Sequence, residues 1–142
     1  MANYYATTRT NYFSVKGENA FRELMQSVSA EDEVHVFEQP QPDGSKKYGF
    51  GCYGSIYGIP VEPDRNDLDG GMDRFLDALQ NLVYEDDAII ITEAGNEKLR
   101  YVIGFCTVIT SKEIQGVSIP DIALHLARKL LGNKNYQTQM DY

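Results

Sequence analysis

The stretches NAFRELMQSVSAEDEVHVFEQ (residues 19–39) and DRFLDALQNLVYEDDAIIITE (residues 73–93) read as two copies of one segment. At a constant offset of 54, Phe21 matches Phe75, Met25 matches Leu79, Gln26 matches Gln80 and Val28 matches Leu82. Glu31-Asp32-Glu33 matches Glu85-Asp86-Asp87, Val36 matches Ile90, and Cys52 and Cys106 keep the same spacing. Phe21, Leu24, Met25 and Val28 fall at i, i+3, i+4 and i+7, one face of an amphipathic helix, and Met72, Phe75, Leu79 and Leu82 repeat that stripe. An acidic turn and a strand-like run follow each. Two copies are too few for an open solenoid, which needs three or more units, so the expectation is one folded domain with a pseudo-twofold.

Working outward, residues 1–10 show no helical periodicity, and Asn11 to Lys16 alternate as a strand built on Tyr12, Phe13 and Val15. Glu33 to Glu38 reads as a strand with Val34 and Val36 on one face and His35 and Phe37 on the other. Pro40 to Ser45 is a turn by composition, and Lys47 to Ile56 is its antiparallel return. Tyr57 to Val61 is the first strand of the second copy, before an acidic loop over 62–71. Ala88–Glu93 and Lys98–Ser111 form the second hairpin around Gly95-Asn96. Pro120 suits a first helical position, and Ile119, Ile122, Ala123, Leu126 and Leu130 give a third apolar stripe ended by Gly132. The predicted fold is α+β: two βαββ repeats, about 11–56 and 57–111, in a mainly antiparallel sheet with helices on one face, plus a C-terminal helix over 119–131. Phe21 and Phe75 are expected at equivalent places in a shared core, each on its own hairpin, with Val34 and Val36 in one copy and Ile90 in the other.

A chain of 142 residues, 42% hydrophobic, fits a single domain with a real core. No apolar run approaches the ~20 residues of a membrane span, and the N-terminus lacks the pattern of a signal peptide. Two cysteines make no disulfide framework, so a cytoplasmic location is expected. The net charge of −8 is concentrated: Glu62, Asp64, Asp67, Asp69, Asp73, Asp77, Glu85, Asp86 and Asp87 stand against only Arg65 and Arg74. This surface repels bare phosphate, so direct nucleic-acid binding is not expected and a basic protein surface suits it better. As an ordinary reading, the same block is a solvated, solubilising loop.

Gly49-Phe50-Gly51-Cys52-Tyr53-Gly54 spells G-x-G-x-x-G, but the dinucleotide motif needs a turn from strand into helix, and these glycines lie inside a strand-like run. Asp64, Asp67, Asp69 and Gly70 evoke a calcium loop, yet a loop with its glycine there would start at Arg65 and end at Leu76, so both anchoring ligands are missing and no metal is expected. His35 and His125 lack ligand spacing, and Cys52 and Cys106 read as small hydrophobes, with a Cys-His pair left open. No catalytic residue or cofactor is expected. Arg9, His35, Tyr53, Glu97 and Arg100 are candidates for an alternative ligand pocket between the two repeats. Ten tyrosines and no tryptophan point to contact surfaces, and exposed sheet edges offer a route to a homodimer.

The strings from Ala2 to Phe13 (ANYYATTRTNYF), from Gly49 to Ile56 (GFGCYGSI) and from Asn96 to Tyr101 (NEKLRY) resemble a family of small uncharacterised proteins carried by conjugative elements and prophages of gut Firmicutes. The resemblance covers most of the chain and implies context rather than chemistry. Small acidic proteins of mobile elements often disarm host defences by binding a restriction or CRISPR component. It therefore implies a non-enzymatic counter-defence inhibitor, of anti-restriction or anti-CRISPR type, whose acidic segment occupies the basic nucleic-acid-binding surface of a host protein.

Overall fold

The computed structural model describes residues 4–61 and 69–139. Its centre is a six-stranded sheet in the order β3-β4-β1-β6-β7-β8, antiparallel at every pairing. The strands are β1 (Tyr5–Thr10), β3 (Val34–Pro40), β4 (Lys46–Cys52), β6 (Ile89–Glu97), β7 (Tyr101–Ile109) and β8 (Ile114–Ser118). A second, two-stranded sheet pairs β2 (Ser29–Ala30) with β5 (Ile56–Gly58). Helices α1 (Glu18–Gln26), α2 (Gly71–Leu82) and α3 (Ile119–Leu131) complete the fold.

The helical stripes act as the periodicity predicts. Phe21 and Met25 of α1 and Phe75 and Leu79 of α2 enter one core with Phe13, Tyr48, Phe50, Val83, Ile89, Ile91 and Ile109. Phe50 links the two halves, its ring 6.2 Å from Phe13 and 5.7 Å from Phe75, while Phe21 lies 5.7 Å from Phe13 and 5.2 Å from Tyr48. Phe21 and Phe75 are both fully buried. Phe75, however, stacks on a ring of the first hairpin rather than only on its own.

The strand assignments need four corrections. The second hairpin turns between Glu97 and Tyr101, where Arg100 N–H donates to Glu97 O at 3.1 Å, and not around Gly95-Asn96, which lie inside β6. The first strand lies at Tyr5–Thr10, not 11–16, and pairs with both hairpins as the bridge between them. Residues 11–16 contribute only isolated bridges, Phe13 to Tyr48 and Val15 to Val83. The expected first strand of the second copy, 57–61, is the short β5, which joins β2 outside the main sheet. β8 is an additional edge strand, paired to β7 through Cys106 and Val117 and their neighbours.

Pairing also shifts the match between the two hairpins. Ile89 and Ile91 are buried, whereas Ile90 is 38% exposed on the opposite face, so it does not join the core as expected; nor does Val36, which is also 38% exposed, and of the expected pair only Val34 packs against the core. Cys52 is buried on the helix-bearing side, while Cys106 lies beside Thr92 on the other. An offset of 55 along the strands keeps faces aligned and places Gly49-Phe50 against Gly104-Phe105. One residue added between helix and strand suffices, because a slip of one flips every side chain.

Where β5 meets α2 the backbones almost touch: a Cβ on Gly58 would stand 2.2 Å from the carbonyl carbon of Gly71, and Gly58 has φ +113. Ile59 N–H donates to Gly71 O at 3.0 Å, fixing the start of α2. Adjacent isoleucines test the strand register. Ile91→Ala is expected to cost about 2–5 kcal/mol, as buried large-to-small changes do, and Ile90→Ala less than about 1 kcal/mol. Urea unfolding midpoints of the two variants measure the contrast.

Candidate functional site

Two surfaces collect the candidate residues. The first is the outer side of α2 and the turn after it. Phe75 and Leu79 face the core, which sends Asp73 and Asp77, one turn and about 6 Å apart, to solvent. Glu85 and Asp86 are exposed in the turn beyond. None of these four carboxylates has a hydrogen bond or ion pair among the described residues. Arg74, the one base of α2, donates through Nε and Nη2 to Ile59 O at 3.0 and 2.8 Å and through Nη1 to Asp69 O at 3.0 Å. Its charge is thus spent on backbone carbonyls at the helix start.

Asp87 belongs to the fold instead. Its Oδ2 accepts from Ser14 N–H and its Oδ1 from Ala88 N–H, both at 2.8 Å, tying the turn to residues 11–15. Glu62, Asp64 and Asp67 lie outside the described residues. Around α1, Arg22 bridges Glu18 and Glu38 and Lys46 pairs with Glu38, while Glu23 and the turn residues Glu31, Asp32 and Glu33 are exposed as well. Among the described residues the turns after both helices are therefore acidic, and α2 adds Asp73 and Asp77 to its own.

The second surface is the sheet face away from α1 and α2. The pairing register places Tyr5, Thr7, Arg9, His35, Phe37, Lys47, Thr92, Val102, Cys106 and Val108 there, with no Asp or Glu from any of the six strands. A hollow of about 330 Å3 is lined by Arg9, His35, Phe37, Gly51 and Tyr53 among others. The Arg9 guanidinium sits 4.1 Å over the Phe37 ring and 5.6 Å from Tyr12, and Nη2 donates to Tyr12 Oη at 3.4 Å. His35 and Tyr53 meet edge to face at 6.4 Å. Gly51 forms the floor, because a Cβ there would stand 2.9 Å from Thr8 O and 3.5 Å from the Phe37 ring.

Arg9, His35 and Tyr53 are therefore brought together, but on β1, on β3 and directly after β4 rather than between the two hairpins. Glu97 and Arg100 are not part of the group. Arg9 pairs with Thr92, and Glu97 lies five residues further along β6, about 17 Å away at the rise of a strand. Arg100 sits in the β6–β7 turn, its N–H donating to Glu97 O and its guanidinium 5.2 Å from the Tyr101 ring. Phe37 is the neighbour that periodicity alone did not assign, since only the register sets it beside Arg9. The signal available was the alternation of Gly49 and Gly51, which leaves one face of β4 without side chains.

A Cys-His pair is not built here. Cys52 turns to the core side, where its Sγ donates to Asp32 O at 3.4 Å, while His35 points to the open face. What the hollow offers is a stacked guanidinium, an imidazole and a phenol, which suit a planar or anionic group. Among the described residues, no three His, Cys, Asp or Glu side chains converge as a metal site, and no helix is long and apolar enough to cross a membrane. No protein-family model matches the chain, and no curated protein or solved structure matches it significantly.

The floor of the hollow is testable. Gly51→Ala presses a methyl against the β1 backbone, which cannot retreat without breaking its pairing, and is expected to cost about 1–3 kcal/mol. Thermal unfolding of the variant measures it, and an unchanged midpoint contradicts the close approach.

Proposed function

We propose that this protein is a non-enzymatic protein-binding module whose acidic α2 side docks on the basic, nucleic-acid-binding surface of a partner protein. The observation that carries this reading is the set of unpaired, exposed carboxylates at Asp73, Asp77, Glu85 and Asp86, with the only α2 base, Arg74, turned to backbone carbonyls. Together with Asp69, and with Glu62, Asp64 and Asp67 in sequence, they imitate the spaced negative charge of a nucleic-acid backbone. The sequence resemblance to proteins of mobile elements gives the role its setting: a counter-defence inhibitor acting on a restriction or CRISPR component of the host. The two helix–hairpin units are, in the same reading, copies of one ancestral unit, supported by the pairs Phe21 and Phe75, Met25 and Leu79, and Gly49-Phe50 and Gly104-Phe105.

A second reading rests on the open-face hollow. The guanidinium of Arg9 held over Phe37 favours a small planar anion there. A ligand at about 100-fold its Kd would add about 2.7 kcal/mol to stability, visible in a thermal-shift screen of nucleotides and aromatic acids.

The leading reading is tested by capture of host proteins on immobilised protein, with and without competing DNA. Wild type is expected to retain a partner that added DNA displaces and that raised salt releases, since exposed charge pairs are screened within ~8–10 Å. Asp73→Lys with Asp77→Lys is expected to lose that partner while keeping its unfolding midpoint. Equal retention by the charge-reversed protein, or a partner indifferent to DNA, contradicts it.

A further inference from the structure

α3 is amphipathic, yet none of its side chains is buried. The stripe Ile119, Ile122, Leu126 and Leu130 is 57%, 52%, 52% and 77% exposed. Only Pro120, Leu124, Ala127 and Arg128, on the adjoining arc, reach intermediate burial, and Pro120 and Leu124 do so beside Tyr101, Val102 and Ile103. The helix cannot swing elsewhere freely. Ser118 ends β8 and Ile119 begins α3, with no linker between, and the Ile119 side chain is seated where a Cβ of Gly104 would be.

On the helix-bearing side of the same sheet, between α2 and β8, a hollow of about 520 Å3 stands open. Met72 and Leu76 form one wall, and Ile91, Ile103, Phe105 and Ile114 form the floor and the far side. Phe105 is 42% exposed although it points to the side on which the core is built. No α3 residue lines this hollow. The strip of sheet over β7 and β8 has the surface of a helix-covered strip without its helix.

We propose that this groove receives α3 of a second copy of the chain, the two copies exchanging the contact reciprocally. One chain carries an apolar helix stripe without a groove and an apolar groove without a helix, and a twofold pairing satisfies both at once. Charge agrees with the pairing. The far end of α3 and the residues after it present Lys129 and Lys134 against Asp121, Arg128 being held on Tyr136 O, while Glu93 lines the groove and Asp73 and Asp77 stand on α2 next to Met72 and Leu76.

The area is that of a weak dimer. A helix of 13 residues is about 20 Å long and 10–12 Å across, a footprint of about 200 Å2. Two helices and two grooves present four such faces, about 800 Å2 before side-chain relief is counted, below the ~1,200–2,000 Å2 of stable interfaces and in the class of weak, reversible ones.

Sedimentation equilibrium of the full chain, from low to high micromolar concentration, tests the proposal. Wild type is expected to be a monomer–dimer equilibrium. Leu126→Asp, on the helix stripe, and Phe105→Glu, in the groove, are each expected to weaken dimerisation at least tenfold while leaving the far-ultraviolet circular dichroism unchanged. Mixing the two variants is the decisive arm. Each homodimer then has no intact contact, but the mixed pair has one, the helix of Phe105→Glu in the groove of Leu126→Asp, so association is expected to return in part. A wild type that stays monomeric throughout, a dimer that both substitutions leave intact, or a mixture with no recovery overturns it. Leu126→Asp keeps Asp73 and Asp77, so loss of the dimer and loss of a basic partner are read separately.

Discussion

The contact on which the rest of the structure depends is the ring of Phe50. It lies on β4, a strand of the first hairpin, yet it packs against Phe13 on one side and Phe75 of the second helix on the other. Through Phe13 it reaches Phe21, and through Phe21 it reaches Tyr48, so five aromatic rings from both halves share one cluster. The two edge-to-face pairs, Phe13 with Phe21 and Phe13 with Phe50, add about 0.5–1.5 kcal/mol each beyond the area they bury. The two helix–hairpin units thereby share one core.

β1 completes the union by hydrogen bonding instead of hydrophobicity. Its inward residues are Thr8 and Thr10, both buried. Thr10 Oγ1 accepts from Phe50 N–H at 2.9 Å and donates to Asn11 O, while Thr8 Oγ1 donates to Gly54 O at 2.8 Å. These bonds satisfy polar groups that would otherwise be costly inside the core, and they hold β1 between the two hairpins. They also explain why this strand escapes a reading based on apolar alternation. Tyr5–Thr10 offers threonines where a buried strand ordinarily shows valine or isoleucine, so Asn11 to Lys16, with Phe13 and Val15, looked the better strand.

The helices were legible because Phe21, Met25, Phe75 and Leu79 repeat at helical spacing, and α3 spans the predicted 119–131. Strand faces were less so. Matching the two segments at one offset places the helices correctly and then puts Ile90 and Cys106 on the wrong side, since a shift of one residue reverses a strand's faces. The candidate pocket divided for the same reason: Arg9, His35 and Tyr53 meet only through the pairing of β1 with β4 and β4 with β3, and nothing local in the chain ties them to Glu97 or Arg100. The acidic surface was easier, because acids in helical sequence at i and i+4 are solvent-facing whenever the core residues alternate with them. Asp87 alone left that group, drawn inward by the N–H groups of Ser14 and Ala88.

The outcome is a molecule with sharply different sides: carboxylates along α2, a sheet face free of acids, and an apolar groove and helix at the β8 edge. Each surface needs the sheet to behave as one rigid platform, and that requires the aromatic cluster to couple the halves. Native-state hydrogen exchange tests the coupling directly. The account expects the paired amides of the β3–β4 and β6–β7 hairpins to exchange with the same free energy, equal to that of global unfolding, because Tyr48 and Phe50 of one hairpin share a single core with Ile89, Ile91 and Ile109 of the other, and β1 pairs with both. Two distinct free energies, with one hairpin opening while the other stays protected, would contradict it.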